Sequence, residues 1–134
     1  VWIASISQSD IFMDDAQSMI DKVIDLMDHE VAIHHPDIIC LPEIFPTSNI
    51  SQSLSLSEKL EIDKKVVPRF AALARKYQCY IICPVYTSME GKIYNSAVVL
   101  GRDGTNMGEY HKTHPTIGEI ESGITPGSFD PPVF

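Results

Sequence analysis

Basic residues are scarce in this chain. Ten Lys and Arg stand against eighteen Asp and Glu, and the formal net charge is −8. That surplus of negative charge argues against nucleic acid and anionic membrane surfaces as partners. Long apolar runs are missing as well: none is long enough to span a bilayer as a helix, and no signal peptide is visible. Cysteine is limited to Cys40, Cys79 and Cys83, an odd number. Cys79 and Cys83 fall in one expected strand, where four residues separate them by about 13 Å, too far for a disulfide. All three read as small core residues in a reducing compartment, which points to the cytoplasm. Internal repeats and low-complexity blocks are absent. His29, His34 and His35 lack the i, i+4 spacing of a helical metal pair and read as solvated or partly packed residues near a helix end. No metal or cofactor is expected. Asn49-Ile50-Ser51 matches a glycosylation acceptor, which carries little weight without a secretory signal.

What is present is organised around Asp37-Ile38-Ile39-Cys40-Leu41-Pro42-Glu43. Four apolar residues in a row, bounded by polar and turn-forming ones, predict a short strand buried on both faces. Pro42 cannot donate to a ladder and should end it. Glu43 therefore falls just past the carboxyl end of a buried strand, the edge where open α/β sheets bind ligands. A carboxylate there is either a catalytic group or a structural charge answered by a nearby Lys or Arg.

The remaining pattern alternates strands and helices. Residues 1–6 suit a first strand. Asp14, with Gln17 three residues on, predicts a helix start, and Met19, Ile20, Val23, Met27 and Val31 recur at helical spacing, with Asp21, Asp25 and Asp28 opposite. The helix should end before Pro36. Residues 46–57 read as a loop at the rim of a site, with Ser57 capping a short helical segment. Residues 67–77 predict a second helix, with Pro68 in its first turn and Phe70, Leu73, Ala74 and Tyr77 facing the sheet. Strands are expected at 80–85, 93–100 and 107–112, joined by Met89-Glu90-Gly91-Lys92 and by the Gly101-Arg102-Asp103-Gly104 hairpin signal. From Thr113 onward the chain reads as loop. The order β-α-β-α-β-β-β implies an α/β layered domain.

Three polar clusters sit at or near strand ends: Glu43, Tyr110-His111-Lys112-Thr113-His114, and Glu119-Ile120-Glu121. A carboxylate, an ammonium and a second carboxylate are what proton transfer plus oxyanion stabilisation need. Any one alone is weak evidence: a Lys at a strand end is more often a solvated charge, and Glu119 and Glu121 read equally as loop solvation.

Together, Leu41-Pro42-Glu43, Tyr110-His111-Lys112-Thr113-His114 and Pro126-Gly127 ahead of Pro132-Val133-Phe134 resemble the nitrilase superfamily, the carbon–nitrogen hydrolases. A first strand leading to Gln8, Tyr94-Asn95-Ser96-Ala97 and the turn at 101–104 fit the same pattern. The resemblance implies a four-layer α-β-β-α sandwich, of which residues 1–134 form the N-terminal part of a single domain that ends before the nucleophile strand. It also implies a Glu-Lys-Cys triad, with Glu43 as general base and Lys112 as oxyanion stabiliser. None of Cys40, Cys79 and Cys83 fits the nucleophile's position, so that Cys is expected beyond this chain. Of the candidates for a second, substrate-holding acid, Glu121 is favoured by its spacing to Pro126-Gly127, and Glu119 is the alternative. The activity implied is hydrolysis of a small amide or N-carbamoyl compound rather than a nitrile, by a protein that forms homo-oligomers. The other readings are an acyltransferase of the same superfamily and a non-catalytic scaffold or truncated member. The isolated chain, lacking the nucleophile, is expected to be inactive.

Overall fold

The computed structural model of the protein describes residues 1–134. Five strands form one sheet in sequence order: β1 (Ile3–Ser5), β2 (Ile38–Cys40), β3 (Tyr80–Met89), β4 (Lys92–Leu100) and β5 (Asn106–His111). β1, β2 and β3 run parallel; β3, β4 and β5 run antiparallel. The parallel connections carry α1 (Ala16–Leu26) and α2 (Leu56–Tyr77). Because the strands advance in order and such crossovers share one hand, both helices land on the same face.

One apolar core lies between that face and the helices. Met19, Ile20, Val23 and Met27 come from α1 and its continuation, Val66, Phe70 and Ala74 from α2, and Ile39, Ile81, Cys83, Val85, Val98 and Leu100 from the sheet. Phe45 and Phe70 meet edge to face, 5.1 Å between centroids. The acidic side of α1 ties the helices together: Asp21 pairs with Arg69 at 2.7 Å, and Asp28 with Lys76 and the Tyr77 hydroxyl. The other sheet face carries no helix. There Ile38, Tyr80, Ile82, Val99, Met107 and Phe134 line a groove of about 310 Å³. The chain thus has two layers, one of helices and one of sheet.

The element order agrees with the sequence pattern; several boundaries do not. The cap of α1 is Asp15 rather than Asp14, and its carboxylate accepts from the Ser18 amide at 2.8 Å. α2 is a single helix beginning three turns before Val67, capped by Ser55 and Glu58 rather than by Ser57. Pro68 therefore lies inside it. Its ring costs the Lys64 carbonyl a partner, but both residues are exposed, so water can replace that bond. The β3–β4 hairpin turns on Glu90 and Gly91 at φ 51° and 77°, the two positive values of a type I′ turn.

β3 also explains how a proline sits within a strand. β2 stops beside Ile82, with a last bond from the Leu41 amide to the Ile82 carbonyl at 3.1 Å. Beyond that point the even-numbered residues of β3 face an uncovered edge. Pro84 has no N–H to leave unpaired there. The Tyr86 amide, next on that edge, donates 2.7 Å to the Asp63 carboxylate of α2.

Candidate active site

Glu43 follows β2 through Leu41 and Pro42, as the sequence implies. Ile44 is held in the left-handed region, φ 44° and ψ 38°, strained for a β-branched residue. Ser48 fastens the bend: its hydroxyl reaches the Glu43 carbonyl at 3.3 Å and the Ile44 carbonyl at 3.2 Å. The bend aims the Glu43 side chain at the end of β5.

Lys112 arrives there from the next residue after β5. Its amide donates 2.8 Å to the Asn95 carbonyl, extending the β4–β5 ladder by one bond. Its carbonyl accepts from the Gly127 amide at 2.9 Å. A Cβ at Gly127 would lie 2.2 Å from the His111 carbonyl oxygen, so only glycine lets the tail approach this closely.

The segment after Thr113 is not all loop. Residues 117–121 form a short helix, α3 (Ile117–Glu121), opened by a capping box. The Glu119 amide donates to the Thr116 hydroxyl, and the Thr116 amide donates 2.7 Å to Glu119 Oε2. The Thr-x-x-Glu spacing that specifies this box is visible in the sequence. Glu119 is thereby turned toward Lys112. Glu121 stands about 200° further round the helix and is exposed. Of the two candidate acids, Glu119 joins the cluster; Glu121, favoured on spacing to Pro126-Gly127, does not, because that spacing takes no account of the helix between them.

The result is one ammonium between two carboxylates. Lys112 Nζ lies 2.7 Å from Glu43 Oε1, and 3.0 and 3.3 Å from Glu119 Oε2 and Oε1. The Glu43 side chain is 59% exposed, Lys112 28% and Glu119 17%. Asn95 of β4, unassigned in the sequence beyond its place in Tyr94-Asn95-Ser96-Ala97, completes the group. Its Nδ2 donates to Glu43 Oε1 and to Glu119 Oε1, both at 2.7 Å. It is hidden in a strand pattern that marks it only as one of a row of buried positions. Tyr86, its cross-strand neighbour, is buried beside the cluster.

The electrostatics separate the two acids. Burial alone would raise the Glu119 carboxyl, but hydrogen bonds from Asn95, Thr116 and Lys112 outweigh it and hold the group down to about 2. Glu119 is thus a fixed anion. Lys112 is held above its ordinary value by its hydrogen bond to Glu43, with Glu119 adding to the effect, and so remains an ammonium. Glu43 keeps one oxygen, Oε2, outside every hydrogen bond in the cluster. Chemically, the arrangement offers a carboxylate with an open oxygen and a permanent cation beside it.

The cysteines stand apart from this chemistry. Cys79 and Cys83 are fully buried in the core, and Cys40 is half-buried in β2. Burial pushes all three thiols up, away from the thiolate a nucleophile needs. No group of His, Cys, Asp and Glu side chains is placed to hold a metal ion.

Residues 3–131 match the family model for carbon–nitrogen hydrolases, so the chain belongs to the carbon–nitrogen hydrolase family. None of the curated proteins compared with the chain matches it. Among solved structures, it is similar to a carbon–nitrogen hydrolase from Helicobacter pylori G27, at 25% identity and TM-score 0.80, covering 96% of this chain and 45% of that one. An amidase from Nesterenkonia sp. superposes at TM-score 0.78 and 17% identity, over 98% of this chain and 50% of its own. An N-terminal amidase superposes at TM-score 0.72 and 20% identity, over 93% and 30%. The last two likenesses concern the fold alone. The chain spans half or less of the length of each of these proteins. No helix is long and apolar enough to cross a membrane.

Proposed function

We propose that this chain is the N-terminal half of a hydrolase of non-peptide carbon–nitrogen bonds, with Glu43 as general base and Lys112 as oxyanion stabiliser. The observation that carries the reading is the Lys112 ammonium held at 2.7 Å from Glu43 and 3.0 Å from Glu119. Glu119, rather than Glu121, serves as the second acid and fixes the cation. The nucleophilic Cys comes from the remainder of the protein, since burial shifts all three thiols here upward, away from the thiolate form. The bare apolar face of the sheet is where that remainder packs.

The steps balance with these groups. The thiol gives its proton to Glu43 while sulfur attacks the carbonyl carbon, and the carbonyl electron pair moves onto oxygen. Lys112 stabilises that oxygen. The C–N bond breaks as nitrogen takes the proton back from Glu43, leaving a thioester. Water then passes a proton to Glu43 and attacks, and the departing sulfur recovers it. A small amide or N-carbamoyl compound is the substrate class; butyramide, present with the Nesterenkonia amidase, is a suitable first probe. The reduced cysteines suit the cytoplasm, and the full-length protein assembles as a homo-oligomer. The test is ammonia release from small amides by the full-length protein and its Lys112→Met variant. Loss of one oxyanion donor typically costs about 10²–10³ in kcat, so a fall of at least that size with little change in KM is expected. A variant with near-normal kcat would remove Lys112 from the mechanism.

A further inference from the structure

The partners of the Asn95 side chain restrict how Glu43 can handle a proton. Both acceptors, Glu43 Oε1 and Glu119 Oε1, are carboxylate oxygens at 2.7 Å. Only an NH₂ group fits between them, and its two hydrogens match the two acceptors. Glu43 Oε1 also accepts from Lys112 at 2.7 Å. With two donors already aimed at it, that oxygen cannot hold a further proton without expelling one of them. Oε2 has no such partner.

Asn95 is itself held on three sides. The residue is 4% exposed. Its carbonyl accepts from the Lys112 amide, and its strand is paired through Tyr86 to β3. The charged and titratable groups around it are few. Glu43 comes from the turn after β2, Lys112 from the end of β5 and Glu119 from α3. Tyr86 on β3 has a phenol pushed up, chiefly by burial and by Glu119, and stays neutral. Asp63 on α2 meets Tyr86 through the backbone.

We propose that Asn95 is a positioning residue whose amide clamps Glu43 Oε1 to Glu119 Oε1, so that Glu43 Oε2 is the atom that receives and returns the proton. The inference rests on Glu43 being the base. The clamp also spaces two like charges by a shared donor rather than by repulsion alone, which keeps Glu43 at one fixed orientation through both half-reactions. Glu119, carrying bonds on both oxygens, takes no proton in the cycle.

The test uses the full-length protein, with Glu43→Gln as control and two variants of Asn95. Asn95→Leu keeps the shape and removes both donors. A base misplaced by about 1 Å costs about 10²-fold, so kcat should fall by that order while KM moves less than about threefold. Asn95→Asp sets a third carboxylate against two, and like charge favours protonation. The acid limb of kcat/KM should then move up by about one pH unit or more, read over the pH range in which circular dichroism shows the variant to be as folded as wild type. A third measurement needs no variant: the Asn95 side-chain amide hydrogens should exchange with deuterium far more slowly than those of exposed Asn106. Wild-type kcat and pH limb in both variants, or free-amide exchange at Asn95, would overturn the proposal. If Glu43→Gln keeps wild-type turnover, the reading of Glu43 as base fails instead.

Discussion

Asp63 makes the stability of this fold depend on pH in an unusual direction. The carboxyl is 1% exposed and accepts one bond, from the Tyr86 amide, while Oδ1 is buried without a partner. Burial raises its pKa to about 7, against a lesser lowering by the Tyr86 bond and Lys59. The folded-state value lies above the unfolded value of 3.8, so between these limits the native state binds the extra proton. Stability from this group is therefore full below about pH 4 and is lost as pH rises toward 7, by up to about 4 kcal/mol in all at 1.36 kcal/mol per unit. Asp63→Asn keeps an oxygen for the Tyr86 amide and abolishes the charge. It also buries an unpaired NH₂, at about 1–3 kcal/mol. The variant should thus be more stable than wild type at pH 8 by about 1–3 kcal/mol, and equal or less stable at pH 4.5. The assay is urea unfolding of both proteins across pH 4.5–8, comparing midpoints at matched pH so that the other titrating groups cancel. Parallel stability curves would show that Asp63 is ionised in the fold and that the edge of β3 is closed by a charge.

Two further perturbations probe the site's construction. In the full-length protein, Glu119→Gln should lower kcat far more than Glu121→Gln, since only Glu119 touches Lys112; steady-state kinetics showing the reverse order would mean that α3 presents its other face. Glu119→Gln should also flatten the loss of stability on acidification between about pH 4.5 and pH 2, because a depressed carboxyl stabilises above its unfolded value and loses that contribution as it protonates. Gly127→Ala should lower the melting temperature, with an overpacking cost of about 1–3 kcal/mol, whereas Gly118→Ala, with open space around it, should be neutral or stabilising. Equal melting temperatures for the two would refute the close approach of the tail to His111.

The strands and the places where Glu43 and Lys112 leave them were legible because their signals are local. A four-residue apolar run ended by Pro42 fixes where Glu43 emerges, and the Gly-Arg-Asp-Gly turn sets where Lys112 emerges. The length of α2 was not legible, because Pro68 normally marks a first turn and only its exposure excuses it mid-helix. The choice between Glu119 and Glu121 turned on a helix of five residues, too short for periodicity to reveal. Its Thr116-x-x-Glu119 box was a readable sign, obscured by the four prolines and three glycines around it. Asn95 was hidden for a different reason: cross-strand register and the return of α3 bring its partners together, and neither is encoded within its own strand. Asp63 likewise sits on a helical pattern as one more acidic residue, and only the early end of β2 gives it a task.

The most direct test of the account is the fate of the acyl-enzyme when the base is removed. Full-length wild-type protein and its Glu43→Gln variant would each be mixed with a small amide in single-turnover experiments, with covalent adduct followed by intact mass. Glutamine preserves shape and removes the acceptor of the nucleophile's proton, and loss of acid–base catalysis typically costs about 10²–10⁴. A transient acyl mass is expected on the wild type, and adduct formation slowed by at least about 10² in the variant. An acyl-enzyme that forms and decays at wild-type rates in Glu43→Gln would contradict the assignment of Glu43 as base.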